Sequence, residues 1–126
     1  MNRSLKIFVV ENHADTLTYL CRYLEQQGHA VRSARDMQSA LRVFPEEPVD
    51  VLISDIGLPD GDGWELLRNL EPKPFAIAIS GFGTGTDLRK SQAAGYREHL
   101  IKPFLTEDLD AVLEAAVRHL GGSLSF

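Results

Sequence analysis

The chain has 126 residues, a formal net charge of −5 and 25% charged residues, the size and balance of one soluble globular domain with its own core. The acidic excess argues against direct nucleic-acid binding, which needs clustered Lys and Arg. The single cysteine, Cys21, excludes an internal disulfide, and the apolar run Ile7 to Val10 is too short for a signal segment or a membrane span, so a cytoplasmic protein with no membrane partner is expected.

Strand and helix patterns alternate five times. "LKIFVV" reads as a first strand and Ala14 to Gln27 as a helix stopped by Gly28. Leu17, Leu20, Cys21 and Leu24 share one face of that helix, which assigns Cys21 to core packing. "AVRSA" is a short second strand, and Met37, Ala40, Leu41 and Phe44 give the next helix its apolar face until "PEEP" ends it, since proline cannot continue a helix. "DVLIS" is a third strand, "GDGWELLRNL" carries a helix, and "FAIAIS" is a fourth strand. "GFGTGTDLRKSQAAG" gives a glycine-rich loop and a polar helix, and "YREHLI" a fifth strand. Leu109, Val112, Leu113, Ala116, Val117 and Leu120 form the apolar stripe of a last helix. Nearly continuous apolar strands alternating with helices predict a parallel sheet covered on both faces, an α/β doubly wound fold.

Ligands of such a sheet bind beyond the carboxyl ends of its strands. Those ends hold Glu11 and Asn12, then Asp55, then Ser80 and Gly81, then Lys102 and Pro103. A carboxylate can accept a phosphoryl group covalently, and Asp55, on the most buried strand, is the candidate. Phosphoryl transfer needs positioning and cations on the phosphoryl oxygens. Glu11, Asn12 and Asp55 can supply the protein part of a Mg²⁺ octahedron. Lys102 supplies a point charge and Ser80 a hydroxyl donor.

With "VVEN", "LISDIGLPDGDGWELLR", "AISGFG" and "HLIKPF" in these places, residues 5 to 120 resemble a response-regulator receiver domain of two-component signalling, and residues 1–126 are read as that single domain. The wording looks most like receivers of hybrid sensor kinases. The resemblance implies a (βα)₅ flavodoxin-like fold with strand order 2-1-3-4-5. It implies that Asp55 takes a phosphoryl group from a histidine kinase or a histidine phosphotransfer protein, with slow self-dephosphorylation and no enzymatic turnover. It implies that the Gly57 backbone carbonyl joins the Mg²⁺ ligands and that the Lys102–Pro103 peptide is cis. Output would pass through a downstream protein partner, since the sequence carries no DNA-binding or catalytic motif.

Two positions depart from the family's pattern. The second acid at the end of the first strand is Asn12, whose amide can ligate a cation but brings no charge, which predicts weaker Mg²⁺ binding and slower phosphorylation. The aromatic switch position is His99, which would move with Ser80, helped by a loop containing Gly81, Gly83 and Gly85, or would have no switching duty. A degenerate receiver acting as a phosphorylation-independent interaction module stays open at this level. "PDGDG" fails as a calcium loop and "GFGTG" as a nucleotide loop, because the ligand and Lys-Ser/Thr positions do not follow. The histidines at 13, 29, 99 and 119 show no i, i+4 ligand spacing and the lone cysteine adds no ligand, so a zinc site is not expected. His13, beside the acidic residues, reads as a solvated loop residue or a contact for a partner's phosphorylated side chain.

Overall fold

The computed structural model describes residues 4–81 and 85–123. Five parallel strands form the central sheet: β1 (Lys6–Val10), β2 (Ala30–Ala34), β3 (Val51–Asp55), β6 (Phe75–Ser80) and β7 (Glu98–Ile101). Their order is β2-β1-β3-β6-β7, which is 2-1-3-4-5 when only the strands of this sheet are numbered. A two-stranded antiparallel ribbon, β4 (Gly57–Leu58) and β5 (Gly61–Asp62), interrupts the path from β3 to the third helix. The helices are α1 (Ala14–Gln26), α2 (Met37–Val43), α3 (Gly63–Arg68), α4 (Gly85–Ala94) and α5 (Thr106–Ser123). The chain reverses its winding between β1 and β3, so the strand ends there open a crevice.

The alternation of side chains along each strand divides the core into two layers. Phe8, Val10, Leu52, Ala76 and Ala78 face one side, where Met37, Ala40, Leu66, Leu67 and Tyr96 cover them. Ile7, Val9, Val51, Ile53, Ile77 and Ile79 face the other, under Leu20, Leu24, Leu109, Val112 and Leu113. Helices α1 and α5 therefore cover one face and α2, α3 and α4 the other. Every residue of β1 beyond Lys6 and every residue of β3 and β6 is buried, as two-sided coverage requires.

Local signals set the element ends. Asp36 caps α2 by accepting from the Ser39 N–H, and Asp62 caps α3 by accepting from the Glu65 N–H, both at 2.7 Å. Gly28 ends the first helical unit with φ +94°, a left-handed conformation that favours glycine. The third helix is shorter than the sequence pattern suggested, because Gly61 and Asp62 pair back onto Gly57 and Leu58. The fifth strand also starts later. Tyr96 turns inward, and its hydroxyl donates to the Gly63 carbonyl at 2.7 Å. Cys21 is half-buried rather than fully in the core. Gly83, which the sequence reading placed in a pliable loop, lies outside the described residues.

Candidate functional site

Glu11 follows the last residue of β1. Its backbone N–H donates to Ala34 of β2 at 3.1 Å, which carries the sheet pairing one residue past β1 and turns the side chain into the crevice. The side chain has no solvent exposure. Asp55 ends β3 and is 7% exposed. Lys102 follows β7, with its N–H donating to the Ser80 carbonyl at 2.8 Å. Its ammonium bridges the two acids, 2.9 Å from Glu11 Oε1 and 2.9 Å from Asp55 Oδ2. Asp55 Oδ1 accepts from the Gly57 N–H at 3.0 Å. Glu11 Oε2 accepts from the His13 N–H at 2.9 Å and lies 3.1 Å from His13 Nδ1.

Burial raises the Asp55 carboxyl above the ordinary aspartate range, the Glu11 charge adds to this, and Lys102 opposes it without cancelling it. Burial also pushes Glu11 upward, but the His13 backbone N–H, the Lys102 ammonium and the His13 ring outweigh it and hold Glu11 below its ordinary value. Burial pushes Lys102 down, and its contacts with Asp55 and Glu11 more than reverse that, so its ammonium form is favoured. The pocket thus holds one firmly ionised acid, one acid whose ionisation is held back, and one cation.

Glu11, His13 and Asp55 each offer a ligand atom, and these atoms lie within 4.8 Å of one another. Two carboxylates at this spacing fit a hard divalent cation such as Mg²⁺. Asn12 is exposed, and its backbone carbonyl accepts from Arg35 Nη2 at 3.0 Å. Among the described residues no hydrogen bond engages the Asn12 amide. Gly57 stands beside Asp55 through its N–H.

Ser80 ends β6 and is buried. Its hydroxyl is 2.7 Å from His99 Nε2, on the strand paired with its own. His99 Nδ1 is buried without a hydrogen-bond partner among the described residues. Burial lowers the His99 pKa, although Asp87 works against that shift, so the ring is held neutral. The Lys102–Pro103 peptide is cis, and so is Glu71–Pro72.

The structure adds two contacts that spacing did not reveal. His13, 71% exposed at its side chain, folds back onto buried Glu11; its place two residues after Glu11 was the available signal. Spacing of i, i+4 describes ligands on one helix, whereas His13 reaches Glu11 from a loop that curls back onto its own acid. Asp60, in the turn of the small ribbon, accepts from the Met37 and Gln38 N–H groups at 2.7 and 2.9 Å, which ties the segment after Asp55 to the start of α2. No helix among the described residues is long and apolar enough to cross a membrane.

The family description "Response regulator receiver domain" matches residues 7–114. The chain is 36% identical over 121 residues to the two-component response regulator PhoP of Pseudomonas aeruginosa, covering 94% of this chain and 54% of that protein. It thus spans about half the length of the curated relatives it matches. A two-component response regulator from Clostridium difficile superposes with a TM-score of 0.88 at 24% identity, covering 93% of this chain and 98% of that one. The receiver domain of a sensor histidine kinase from Pseudomonas aeruginosa, solved with a magnesium ion in its active-site cleft, superposes at 0.80 with 23% identity, covering 91% and 98%. These low identities speak to the fold, and the sequence match carries the family: the chain belongs to the response regulator receiver domains of two-component systems.

Proposed function

We propose that Asp55 is the phosphoryl acceptor of this receiver, taking its phosphoryl group from a histidine kinase or a histidine phosphotransfer protein. The observation that carries the proposal is the crevice itself: two carboxylates and a lysine from three strand ends, with Lys102 Nζ 2.9 Å from both acids. An Asp55 oxygen bonds to phosphorus as the donor's N–P bond breaks, and the bonding pair stays on the imidazole nitrogen. Later attack by water releases inorganic phosphate and restores the carboxylate, a slow self-reversal rather than enzymatic turnover.

Glu11, Asp55, the Asn12 amide and the Gly57 carbonyl are the groups that would hold Mg²⁺. When bound, that ion neutralises charge on the phosphoryl oxygens. Lys102 is placed to follow one phosphoryl oxygen, and the Ser80 hydroxyl to donate to another after leaving His99. That exchange is the switch: phosphorylation favours the conformer in which Ser80 has changed partners, and the α4–β7–α5 surface follows. Ile101 and Leu105, 46% and 63% exposed, give this surface apolar area for a downstream protein partner. Asn12 in the second acid position weakens Mg²⁺ and slows the reaction without abolishing it. The reading places the protein in the cytoplasm, as one receiver domain over residues 1–126.

The test is intact mass after incubation with a small acyl-phosphate donor, with and without Mg²⁺, with Asp55→Ala as the blank. A phosphoryl increment that needs both Mg²⁺ and Asp55 is expected. No increment in wild type or in Asn12→Asp overturns the proposal in favour of an interaction module that works without phosphorylation.

A further inference from the structure

We infer that this pocket is a mixed nitrogen–oxygen metal site, in which His13 Nδ1 joins Glu11 and Asp55 and confers a preference for a borderline transition-metal divalent, of the Zn²⁺ or Co²⁺ class, over Mg²⁺. The inference rests on the reading of Glu11 and Asp55 as a cation site and adds a ligand and a selectivity to it.

The geometry supports it first. His13 is pinned to Glu11 twice, through its backbone N–H at 2.9 Å and its ring Nδ1 at 3.1 Å, both on Oε2. Two ligand atoms on one zinc ion, each about 2.0–2.1 Å from it, lie about 3.3 Å apart in a tetrahedron and about 2.9 Å apart in an octahedron. The 3.1 Å separation of Nδ1 and Oε2 falls between these edges. A metal ion can therefore stand where the hydrogen bond now lies: the neutral ring carries its one proton on Nε2, and the Nδ1 lone pair takes the metal. An Asp55 oxygen lies within 4.8 Å of both ligand atoms, close enough to complete a face once the side chains draw in. The ring is 71% exposed while Glu11 is fully buried, so the nitrogen ligand sits at the mouth and the oxygens at the floor. Water can fill the remaining positions.

The second support is the state of Glu11. Its Oε1 is paired with Lys102 Nζ at 2.9 Å and its Oε2 with the His13 N–H and ring, and the side chain has no solvent exposure. A carboxylate oxygen carries more than one lone pair, so this buried acid can take a metal on the His13 side while Lys102 keeps the other oxygen.

The donor chemistry then selects the ion. Mg²⁺ takes oxygen ligands and keeps its waters, and it gains little from imidazole. Zn²⁺ and Co²⁺ bind imidazole well. Asn12 stands where a further carboxylate would favour the hard cation, and His13, next in sequence, brings the softer nitrogen. The two neighbouring residues shift the preference in the same direction.

The full chain should be titrated with Co²⁺, read by its visible absorption, and with Zn²⁺ and Mg²⁺ by calorimetry. The set is wild type, His13→Ala, and His13→Gln, which keeps a polar side chain without the imidazole. One Co²⁺ or Zn²⁺ per chain is expected in wild type, weakened about tenfold or more in both variants, as loss of a ligand demands, with Mg²⁺ affinity changed less than about threefold. Equal Zn²⁺ and Co²⁺ affinity in wild type and both variants overturns the inference. A parallel loss of Mg²⁺ also overturns it, because His13 would then act only by placing Glu11. These readouts require no phosphorylation. If His13 selects the metal while Asp55 takes no phosphoryl group, the acceptor proposal fails and this one stands. If Asp55 is phosphorylated while His13 leaves Zn²⁺ affinity unchanged, the reverse holds.

Discussion

Replacing Gly63 with alanine should damage both the fold and the acceptor site, while the same change at Gly61 should do neither. A Cβ on Gly63 would stand 2.7 Å from the Asp55 backbone oxygen and 3.1 Å from both Cα and Cδ1 of Ile56. A Cβ on Gly61 also meets atoms at 2.7 Å, but they are Cε and Sδ of Met37, the end of a flexible thioether that can turn aside. The Asp55 carbonyl belongs to the central strand and cannot. Relief at Gly63 requires α3 to move away from β3 by about 0.5 Å, and overpacking of this kind costs about 1–3 kcal/mol. At this chain length that is a fall in Tm of about 4–12 °C. At Gly61 the lower entropy of the unfolded alanine chain, about 0.4–1 kcal/mol, offsets the cost of moving Met37, so the net change stays within about 0.5 kcal/mol. Urea denaturation and thermal melting of both variants give the energies, and Mg²⁺-dependent phosphoryl uptake gives the effect on Asp55. Equal stability of Gly63→Ala and wild type, or a larger loss in Gly61→Ala, would refute the reasoning.

Other expectations follow from the same contacts. Tyr96→Phe removes the 2.7 Å hydrogen bond to the Gly63 carbonyl and should cost about 1 kcal/mol, read from the urea midpoint at unchanged m-value. Burial lowers the pKa of both His29 and His99, so the unfolded chain takes up their protons first as pH falls. Their contribution to stability is complete above the unfolded value of about 6.5 and is lost as pH falls below it. Unfolding free energy measured from pH 7.5 to 5 should therefore decline more steeply in wild type than in a His29→Gln/His99→Gln variant, and parallel curves would contradict this. Asn12→Asp adds a third carboxylate beside Glu11 and Asp55, so calorimetry should find tighter Mg²⁺ binding; wild type binding Mg²⁺ as tightly as the variant would remove the role given to Asn12. Asp60→Ala deprives two N–H groups of α2 of their acceptor and should cost about 1–2 kcal/mol, as for a lost helix cap.

The layered fold and the main residues of the crevice are legible in the residue pattern. Buried parallel strands need both faces apolar, so "IFVV", "VLIS" and "FAIAIS" announce themselves without regard to where they lie. A polar residue directly after such a run must sit at a strand end, which singles out Glu11, Asp55, Ser80 and Lys102. Local pattern did not show that Gly61 would pair with Leu58 and shorten α3, because the ribbon is held from outside by α2, whose Met37 and Gln38 N–H groups donate to Asp60. Nor did it show Tyr96 turning inward to Gly63, 33 residues away. The chemistry of the crevice was decided by tertiary structure alone. Lys102 reaches Asp55 across 47 residues, and the two meet because sheet order places β3 and β7 on either side of β6. The opposite shifts of Glu11 and Asp55 arise from burial and from which cation or N–H faces each oxygen. His13 became a pocket residue only when its loop folded back onto Glu11. Hydrophobic period is a property of neighbours in the chain, but ionisation and ligand geometry are properties of neighbours in space, and only packing brings those together.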